Sequence, residues 1–120
     1  MSKRILITDD AMFMRVTLKN ILTKGGYEVV AEAAHGEQAV QQYAAHRPDL
    51  VLMDITMPGM DGIAATRAIK DSDPDAKVVM CTAMGQKSMV LAALQAGAKD
   101  FIVKPFLPER VLESVQKLIG

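Results

Sequence analysis

Residues 50–62 of the chain read Leu-Val-Leu-Met-Asp-Ile-Thr-Met-Pro-Gly-Met-Asp-Gly, and this stretch indicates both the fold and the location of its chemistry. Four apolar residues lead directly into the carboxylate of Asp54. A short apolar run bounded by turn residues is typical of a strand buried on both faces of a sheet, and the Pro58-Gly59 pair that follows is typical of a turn. Asp54 is therefore predicted at the carboxyl end of a core strand, where the strand meets solvent.

The length and composition of the chain limit what it can do. The 120 residues are close to the usual size of one domain, so we expect one domain over residues 1–120. A formal net charge of zero argues against nucleic-acid or membrane-surface binding as the main activity. The single cysteine, Cys81, permits no intrachain disulfide. Because no apolar run is long enough for a signal peptide or a membrane span, we expect a cytoplasmic protein without membrane insertion.

Short apolar runs alternate along the chain with segments of helical periodicity. Strands are predicted at residues 5–7, 28–33, 50–54, 77–82 and 100–103, and helices at 10–24, 36–46, 61–70, 87–96 and 108–119. The inner faces of these helices are predicted to include Met14, Leu18, Ile21 and Leu22 in the first, Ala44 in the second and Leu94 in the fourth. Asp10 is predicted to cap the first helix and Asp61 the third.

Five strands alternating with five helices predict an α/β fold whose sheet is mainly parallel, covered by helices on both faces and joined by right-handed crossovers. We expect a single doubly wound, five-stranded, flavodoxin-like sheet in the order 2-1-3-4-5. That order is taken from known folds of this type rather than worked out from the sequence. It places the second strand at an edge, which suits the sparse chemistry of the residues that follow it, 33–36.

Polar side chains lie at or just after the carboxyl ends of four of the five predicted strands: Asp9 and Asp10, Asp54, Thr82 and Lys104. Ligands of open α/β sheets bind at the carboxyl ends of the strands, so we expect these side chains to meet. Two carboxylates about 4 Å apart repel by roughly 4 kcal/mol at an effective dielectric constant of 20. A cluster of three carboxylates therefore needs a nearby cation, or a proton on one of the three. Carboxylate oxygens suit Mg²⁺. A carboxylate nucleophile, a divalent ion, a lysine and a hydroxyl can together receive a phosphoryl group.

Each of these residues has an ordinary structural explanation when it is considered alone. An aspartate pair can cap a helix, Asp54 can belong to a turn, Thr82 is a good strand former, and Lys104 can be a solvated strand end. Their coincidence at matching ends of four strands favours a functional site.

The set formed by Asp9-Asp10, residues 54–62, Thr82-Ala83 and Lys104-Pro105 resembles the receiver domain of bacterial two-component response regulators. The resemblance spans the whole chain and rests on four separated motifs in the same order. Within that family, residues 9–15 and 97–106 are most similar to those of stand-alone chemotaxis regulators.

The resemblance implies that Asp54 accepts a phosphoryl group from a histidine kinase. It also implies one Mg²⁺ ion held by Asp10, Asp54 and the backbone carbonyl of Thr56, with Asp9 acting through water. Lys104 is expected to pair with the Asp54 carboxylate or its phosphate, and the bond from Lys104 to Pro105 is expected to be cis.

The resemblance further implies a switch. Thr82 is expected to bond the phosphoryl oxygen, and Phe101 to follow it inward as the aromatic switch residue. The expected output face comprises the fourth helix, the fifth strand and the fifth helix, with exposed candidates Lys87, Leu91, Gln95, Lys99, Phe101 and Lys117. Thr56 and Met84 occupy the two positions that tune loss of phosphate in this family. Since neither is an acid or an amide, a separate phosphatase is a plausible partner.

The leading interpretation is a phospho-accepting signalling switch that is not an enzyme beyond assisting its own phosphorylation and dephosphorylation. The expected partners are a histidine kinase of the CheA type and a flagellar motor switch protein or a phosphatase. A monomer is expected, with a dimer through the output face left open.

Three alternatives remain open from the sequence. The first is a phosphorelay intermediate that passes the group to a histidine phosphotransferase. The second is a metal-dependent phosphohydrolase, although Thr56 stands where the haloacid dehalogenase type requires an acid. The third is a flavodoxin-like electron carrier, although the loop after the first strand reads Asp-Asp-Ala-Met rather than being rich in Ser, Thr and Gly.

Overall fold

The computed structural model describes residues 2–83 and 87–120. Strands and helices alternate as predicted, in the order β1 Arg4–Thr8, α1 Met12–Lys24, β2 Glu28–Ala33, α2 Gly36–His46, β3 Leu50–Asp54, α3 Gly62–Ser72, β4 Val78–Thr82, α4 Lys87–Gln95, β5 Asp100–Val103 and α5 Pro108–Ile119. The strands form one sheet in the order β2-β1-β3-β4-β5, and every neighbouring pair is parallel. The predicted α/β flavodoxin-like fold is confirmed.

The strand side chains alternate between two hydrophobic clusters, one on each face of the sheet. On β1 and β3, Leu6 and Met53 belong to the cluster covered by α2, α3 and α4, whereas Ile7 and Leu52 belong to the cluster covered by α1 and α5. All five residues of β3 are buried, because this central strand has a strand on each side and helices on both faces.

Sheet order and register decide which polar residues meet. Thr8 of β1 pairs with Met53 of β3, so the next residues on the two strands, Asp9 and Asp54, come level at the carboxyl edge. At the other side of β3, the backbone N–H of Lys104 donates to the carbonyl of Thr82 at 2.8 Å. The Lys104–Pro105 peptide is cis, as predicted.

The predicted cap of α1 was wrong. Asp10 does not cap this helix; Ala11 occupies the N-cap position without a side-chain cap, and the helix begins at Met12. The Asp9 carboxylate, not that of Asp10, accepts the backbone N–H of Ala11 at 2.9 Å. The predicted cap of α3 is confirmed, since Asp61 Oδ1 accepts the backbone N–H of Ala64 at 2.8 Å.

Most predicted inner faces are confirmed, but two residues were misplaced. Ala44 is exposed, and Leu94 is 40% exposed. Each follows a buried residue, Tyr43 or Ala93, and lies about 100° further around the helix axis, beyond the edge of the buried face. In the described part of the chain, no helix has the length and apolar character needed to cross a membrane.

Candidate functional site

The carboxyl edge of the sheet carries a cluster of three carboxylates. Asp9, Asp10 and Asp54 each offer an oxygen, and these oxygens all lie within 4.8 Å of one another. Asp9 is 1% exposed and Asp54 is 5% exposed, whereas Asp10 faces solvent. The cluster therefore has a buried floor supplied by β1 and β3 and an open side at Asp10.

Lys104 neutralises part of this charge. Its Nζ lies 2.8 Å from Asp9 Oδ2 and 3.2 Å from Asp54 Oδ1, so one ammonium bridges the two buried carboxylates. Burial lowers the pKa of Lys104, but its hydrogen bond to Asp9 and the negative charges of Asp54 and Asp9 outweigh that effect and raise it. Lys104 is therefore an ammonium at neutral pH.

The pKa of Asp54 is raised because its carboxyl is buried and lies close to other negative charges. Burial and, to a smaller extent, the charges of Asp9 and Asp10 raise the pKa of Asp54, Lys104 opposes the rise, and the net pKa is about 6. Asp54 is therefore mainly a carboxylate at neutral pH, which is the form that can act as a nucleophile.

The backbone around Asp9 is held at several points. Its N–H donates to the carbonyl of Ala33 on β2 at 3.0 Å. Its carbonyl accepts a hydrogen bond from Arg15 Nη1 at 2.6 Å. No role was predicted for Arg15, because a contact with a backbone carbonyl leaves no pattern of residue types.

The loop after Asp54 folds back tightly against the end of β3. Ile55 N–H donates to the Cys81 carbonyl at 3.1 Å, and Gly62 N–H donates to the Ile55 carbonyl at 2.8 Å. A Cβ at Gly62 would overlap the Asp54 carbonyl oxygen, so a residue with a side chain does not fit without a shift of backbone. The sequence predicted this glycine near the start of the third helix and indicated no contact with the end of β3. Thr56 lies in this loop and is exposed.

The two predicted switch residues lie on neighbouring strands. Thr82 ends β4 with only 2% of its surface exposed, and its hydroxyl donates to the carbonyl of Ala83 at 3.2 Å. Phe101 pairs with Met80 across β4 and β5. It was expected to be exposed, but it is half-buried and packs against the cluster covered by α2, α3 and α4. Met84, the second position expected to tune loss of phosphate, lies outside the described residues.

The donor set fits a hard divalent cation. It consists of carboxylate oxygens without histidine or cysteine, and one side of the cluster is open to water, which is the type of site that Mg²⁺ prefers. Three carboxylates and one lysine leave an excess of two negative charges, and a divalent cation would balance it.

Comparisons with known proteins agree with this geometry. The model of the response regulator receiver domain matches residues 5–116. The chain is 62% identical over 120 residues to the chemotaxis protein CheY of Bacillus subtilis, covering 100% of both chains. It is 58% identical over 118 residues to CheY of Thermotoga maritima, covering 98% of each chain.

A solved structure is also closely similar. A chain of the CheX–CheY complex with BeF₃ and Mg²⁺ from Borrelia burgdorferi superposes with a TM-score of 0.93 at 40% identity. The match covers 98% of the present chain and 90% of that one.

Proposed function

Because this chain belongs to the response regulator receiver family, we propose that it is a phosphorylation switch in which Asp54 accepts a phosphoryl group from a histidine kinase. The chain is a CheY-like response regulator of a two-component system. The observation that best supports Asp54 as the acceptor is the bridge of Lys104 Nζ to both Asp9 and Asp54 within the carboxylate cluster.

The proposed transfer uses the protein's own side chains as follows. An Asp54 oxygen attacks the phosphorus of a phosphohistidine, a P–O bond forms as the P–N bond breaks, and the imidazole nitrogen leaves with the electron pair. The Lys104 ammonium, already 3.2 Å from Asp54, stabilises the negative charge on the phosphoryl oxygens. Asp10, Asp54 and the backbone carbonyl of Thr56 would hold Mg²⁺, with Asp9 acting through water. When bound, the ion would supply further compensation of the phosphoryl charge.

Phosphorylation would change the charge at the edge of the sheet and thereby favour one of two packings. A phosphoryl group carries about −1.5 to −2 charge and takes the place of the single negative charge of the Asp54 carboxylate, beside the end of β4 where Thr82 lies. The Thr82 hydroxyl turns towards the phosphoryl oxygens, and Phe101 moves into the space that this leaves beneath α4. The output face formed by α4, β5 and α5 then binds its target with altered affinity. The change is set by the difference between the target's interaction free energies with the two packings.

The proposed target is a protein of the flagellar motor switch, in the cytoplasm. Support comes from the relatives named chemotaxis protein CheY in Bacillus subtilis and Thermotoga maritima. A CheA-like histidine kinase would supply the phosphoryl group. A protein partner is supported by the complex of CheX with CheY, and a separate phosphatase is supported by Thr56, whose side chain is neither an acid nor an amide.

Intact-mass analysis after incubation with acetyl phosphate and Mg²⁺ tests the acceptor. We expect one phosphoryl group on the native protein and none on Asp54→Asn or in the presence of a chelator. Labelling that persists in Asp54→Asn would contradict the assignment. If the native protein stays unlabelled, it should still bind beryllofluoride in the presence of Mg²⁺. A native protein that is not phosphorylated and does not bind beryllofluoride would refute the proposed switch.

A binding assay with a motor switch peptide then separates a motor regulator from a phosphorelay intermediate. We expect beryllofluoride with Mg²⁺ to raise the affinity of the native protein for the peptide. An unchanged affinity, together with rapid transfer of the phosphoryl group to a histidine phosphotransferase, would favour the phosphorelay.

A further inference from the structure

Arg15 links three elements next to the carboxylate cluster. It lies on α1, and only 16% of its side chain is exposed. Its Nη1 donates to the Asp9 carbonyl at 2.6 Å, and its Nε donates to Glu32 Oε1 on β2 at 3.2 Å. The guanidinium therefore ties the end of β1 to the neighbouring strand and to the helix that follows.

We propose that Arg15 is a positioning residue that aims the carboxylates of Asp9 and Asp10 at Asp54 and so determines the affinity of the site for Mg²⁺. The proposal rests on the proposed function, because it assumes that these carboxylates bind the ion. The contacts that the structure shows for Arg15 are with Glu32 and with the backbone carbonyl of Asp9, so it acts on the cluster through the backbone.

The backbone geometry explains how one hydrogen bond can orient two carboxylates. The carbonyl of Asp9 belongs to the peptide unit that joins Asp9 to Asp10, and a peptide unit is planar. Fixing its oxygen therefore limits rotation of the whole unit, and with it the directions in which both side chains leave the backbone. The Asp9 side chain has its own restraints from Ala11 and Lys104. Asp10 is exposed and lies in the short link between β1 and α1, so the restraint from Arg15 matters most there.

Glu32 orients the guanidinium. It accepts from Arg15 Nε through one oxygen, while its other oxygen lies 3.8 Å from Lys19, whose side chain is 55% exposed. Arg15 and Lys19 are thus two cations on the same helix that share one partner. Of the two, Arg15 is the one that the structure shows bonded to the Asp9 carbonyl.

Positioning and simple charge predict opposite effects of removing Arg15. A positive charge close to the cluster repels Mg²⁺, so a role through charge alone predicts tighter binding when the charge is removed. A positioning role predicts weaker binding, because the peptide between Asp9 and Asp10 gains freedom that the ion must then restrict. The sign of the change in affinity therefore decides between them.

Calorimetric titration of Arg15→Gln with Mg²⁺ is the test. We expect the dissociation constant to rise about threefold or more, which is below the usual effect of losing a group bonded directly to a metal ligand's side chain. Lys19→Gln is the matched control: it removes the same charge and a contact with the same glutamate, and its dissociation constant should stay the same or fall. A constant for Arg15→Gln that is unchanged or lower would overturn the proposal.

The rate of phosphorylation by acetyl phosphate provides a second readout that a general loss of structure would not reproduce. In Arg15→Gln the Mg²⁺ concentration for half-maximal rate should rise, while the rate at saturating Mg²⁺ stays within about twofold of the native value. Glu32→Gln should shift the half-maximal concentration in the same direction by less, because the Arg15 bond to Asp9 remains.

Arg15→Lys keeps the charge and guards against a variant that fails to fold. It should bind Mg²⁺ with an affinity between those of the native protein and Arg15→Gln. If Arg15→Gln is unfolded and Arg15→Lys binds Mg²⁺ with native affinity, the proposal is overturned. If the native protein binds no Mg²⁺, the metal site and the proposal fail together. If the native protein binds Mg²⁺ and is phosphorylated while Arg15→Gln binds equally well, only the role of Arg15 fails.

Discussion

At the scale of single residues, the chemistry of this protein comes from the crowding of charge at Asp54. Burial and the neighbouring Asp9 raise its pKa to about 6, and Lys104 limits the rise. The folded-state pKa lies above the usual unfolded value of about 3.9, so in the metal-free protein this group favours folding below about pH 4 and loses that contribution as the pH rises through about 6. Keeping Asp54 ionised at neutral pH costs free energy, and a bound cation would reduce that cost.

Replacing Lys104 with methionine should raise the pKa of Asp54 above about 6 in the absence of metal. The change removes the positive charge 3.2 Å from Asp54 while keeping a long side chain in its place. Carbon-13 NMR titration of the Asp54 carboxyl in the presence of a chelator would measure the shift. Lys99→Met is the control, since Lys99 is exposed. A pKa at or below the native value would show that Lys104 does not stabilise the carboxylate.

At the scale of elements, the junction of β5 and α5 depends on a second charged group, Asp100. Its carboxylate accepts from the buried Ser114 hydroxyl at 2.8 Å and lies 3.2 Å from Lys117 Nζ. Arg110 Nη2 contacts this carboxylate at 3.2 Å and also donates to the carbonyl of Phe101 at 2.7 Å. These bonds attach α5 to the strand that carries the proposed switch residue, Phe101, and the spacing of 110, 114 and 117 brings all three side chains to one face of the helix.

Asp100→Asn should lower the free energy of unfolding at neutral pH by about 1–3 kcal/mol, as expected for loss of hydrogen bonds to a charged group. Burial would raise the pKa of Asp100, but bonds from Ser114, the Phe101 N–H, Arg110 and Lys117 lower it to about 2. A lowered pKa stabilises the fold above about pH 4, and this contribution is lost as the pH falls towards about 2. The native protein should therefore lose more stability than Asp100→Asn over that window.

Denaturant unfolding at pH 7, 4 and 2.5 would measure this difference, with Asp71→Asn at an exposed position of α3 as the control. Parallel loss of stability in the native protein and Asp100→Asn across that pH range would contradict the role given to Asp100.

At the scale of the whole molecule, β5 connects the proposed acceptor site to the proposed output face. Phe101 lies within β5 and packs against the cluster beneath α4, and Lys104 follows the same strand and reaches Asp54. Lys104, which contacts Asp54, is therefore only three residues along the chain from Phe101.

Phe101→Ala should separate phosphorylation from output. The rate of Asp54 phosphorylation by acetyl phosphate should remain within about threefold of the native rate, because Phe101 is not among the charged groups around Asp54. The increase in affinity for a motor switch peptide caused by beryllofluoride should fall by about fivefold or more, within the usual range of coupling between two sites. Tyr27→Ala, on the far side of the sheet beside α1 and α5, is the control. Full coupling in Phe101→Ala would remove this residue from the switch.

Local patterns were enough to predict the ten elements and much of the core. Alternating burial, helical periodicity and turn residues act over a few positions, so the sequence indicated β3, the start of α5 at Pro108 and the Asp61 cap correctly. Local patterns failed at the edge of the buried face of a helix, because that edge depends on how the helix is rotated about its axis. Leu94 lies one position beyond the face that α4 turns to the sheet.

By itself, the sequence determined the order of strands and helices, the burial of β3 and the set of polar residues that follow the strands, because these depend on neighbours in the chain. The strand order was adopted by analogy; the tertiary structure established it, and with it the bridge of Lys104 to both Asp9 and Asp54 across 95 and 50 positions of sequence. Tertiary structure also decided that Asp9 rather than Asp10 bonds the start of α1 and that Arg15 holds a backbone carbonyl. Such contacts depend on the register of paired strands and on the direction of individual carbonyls, which residue types alone do not encode.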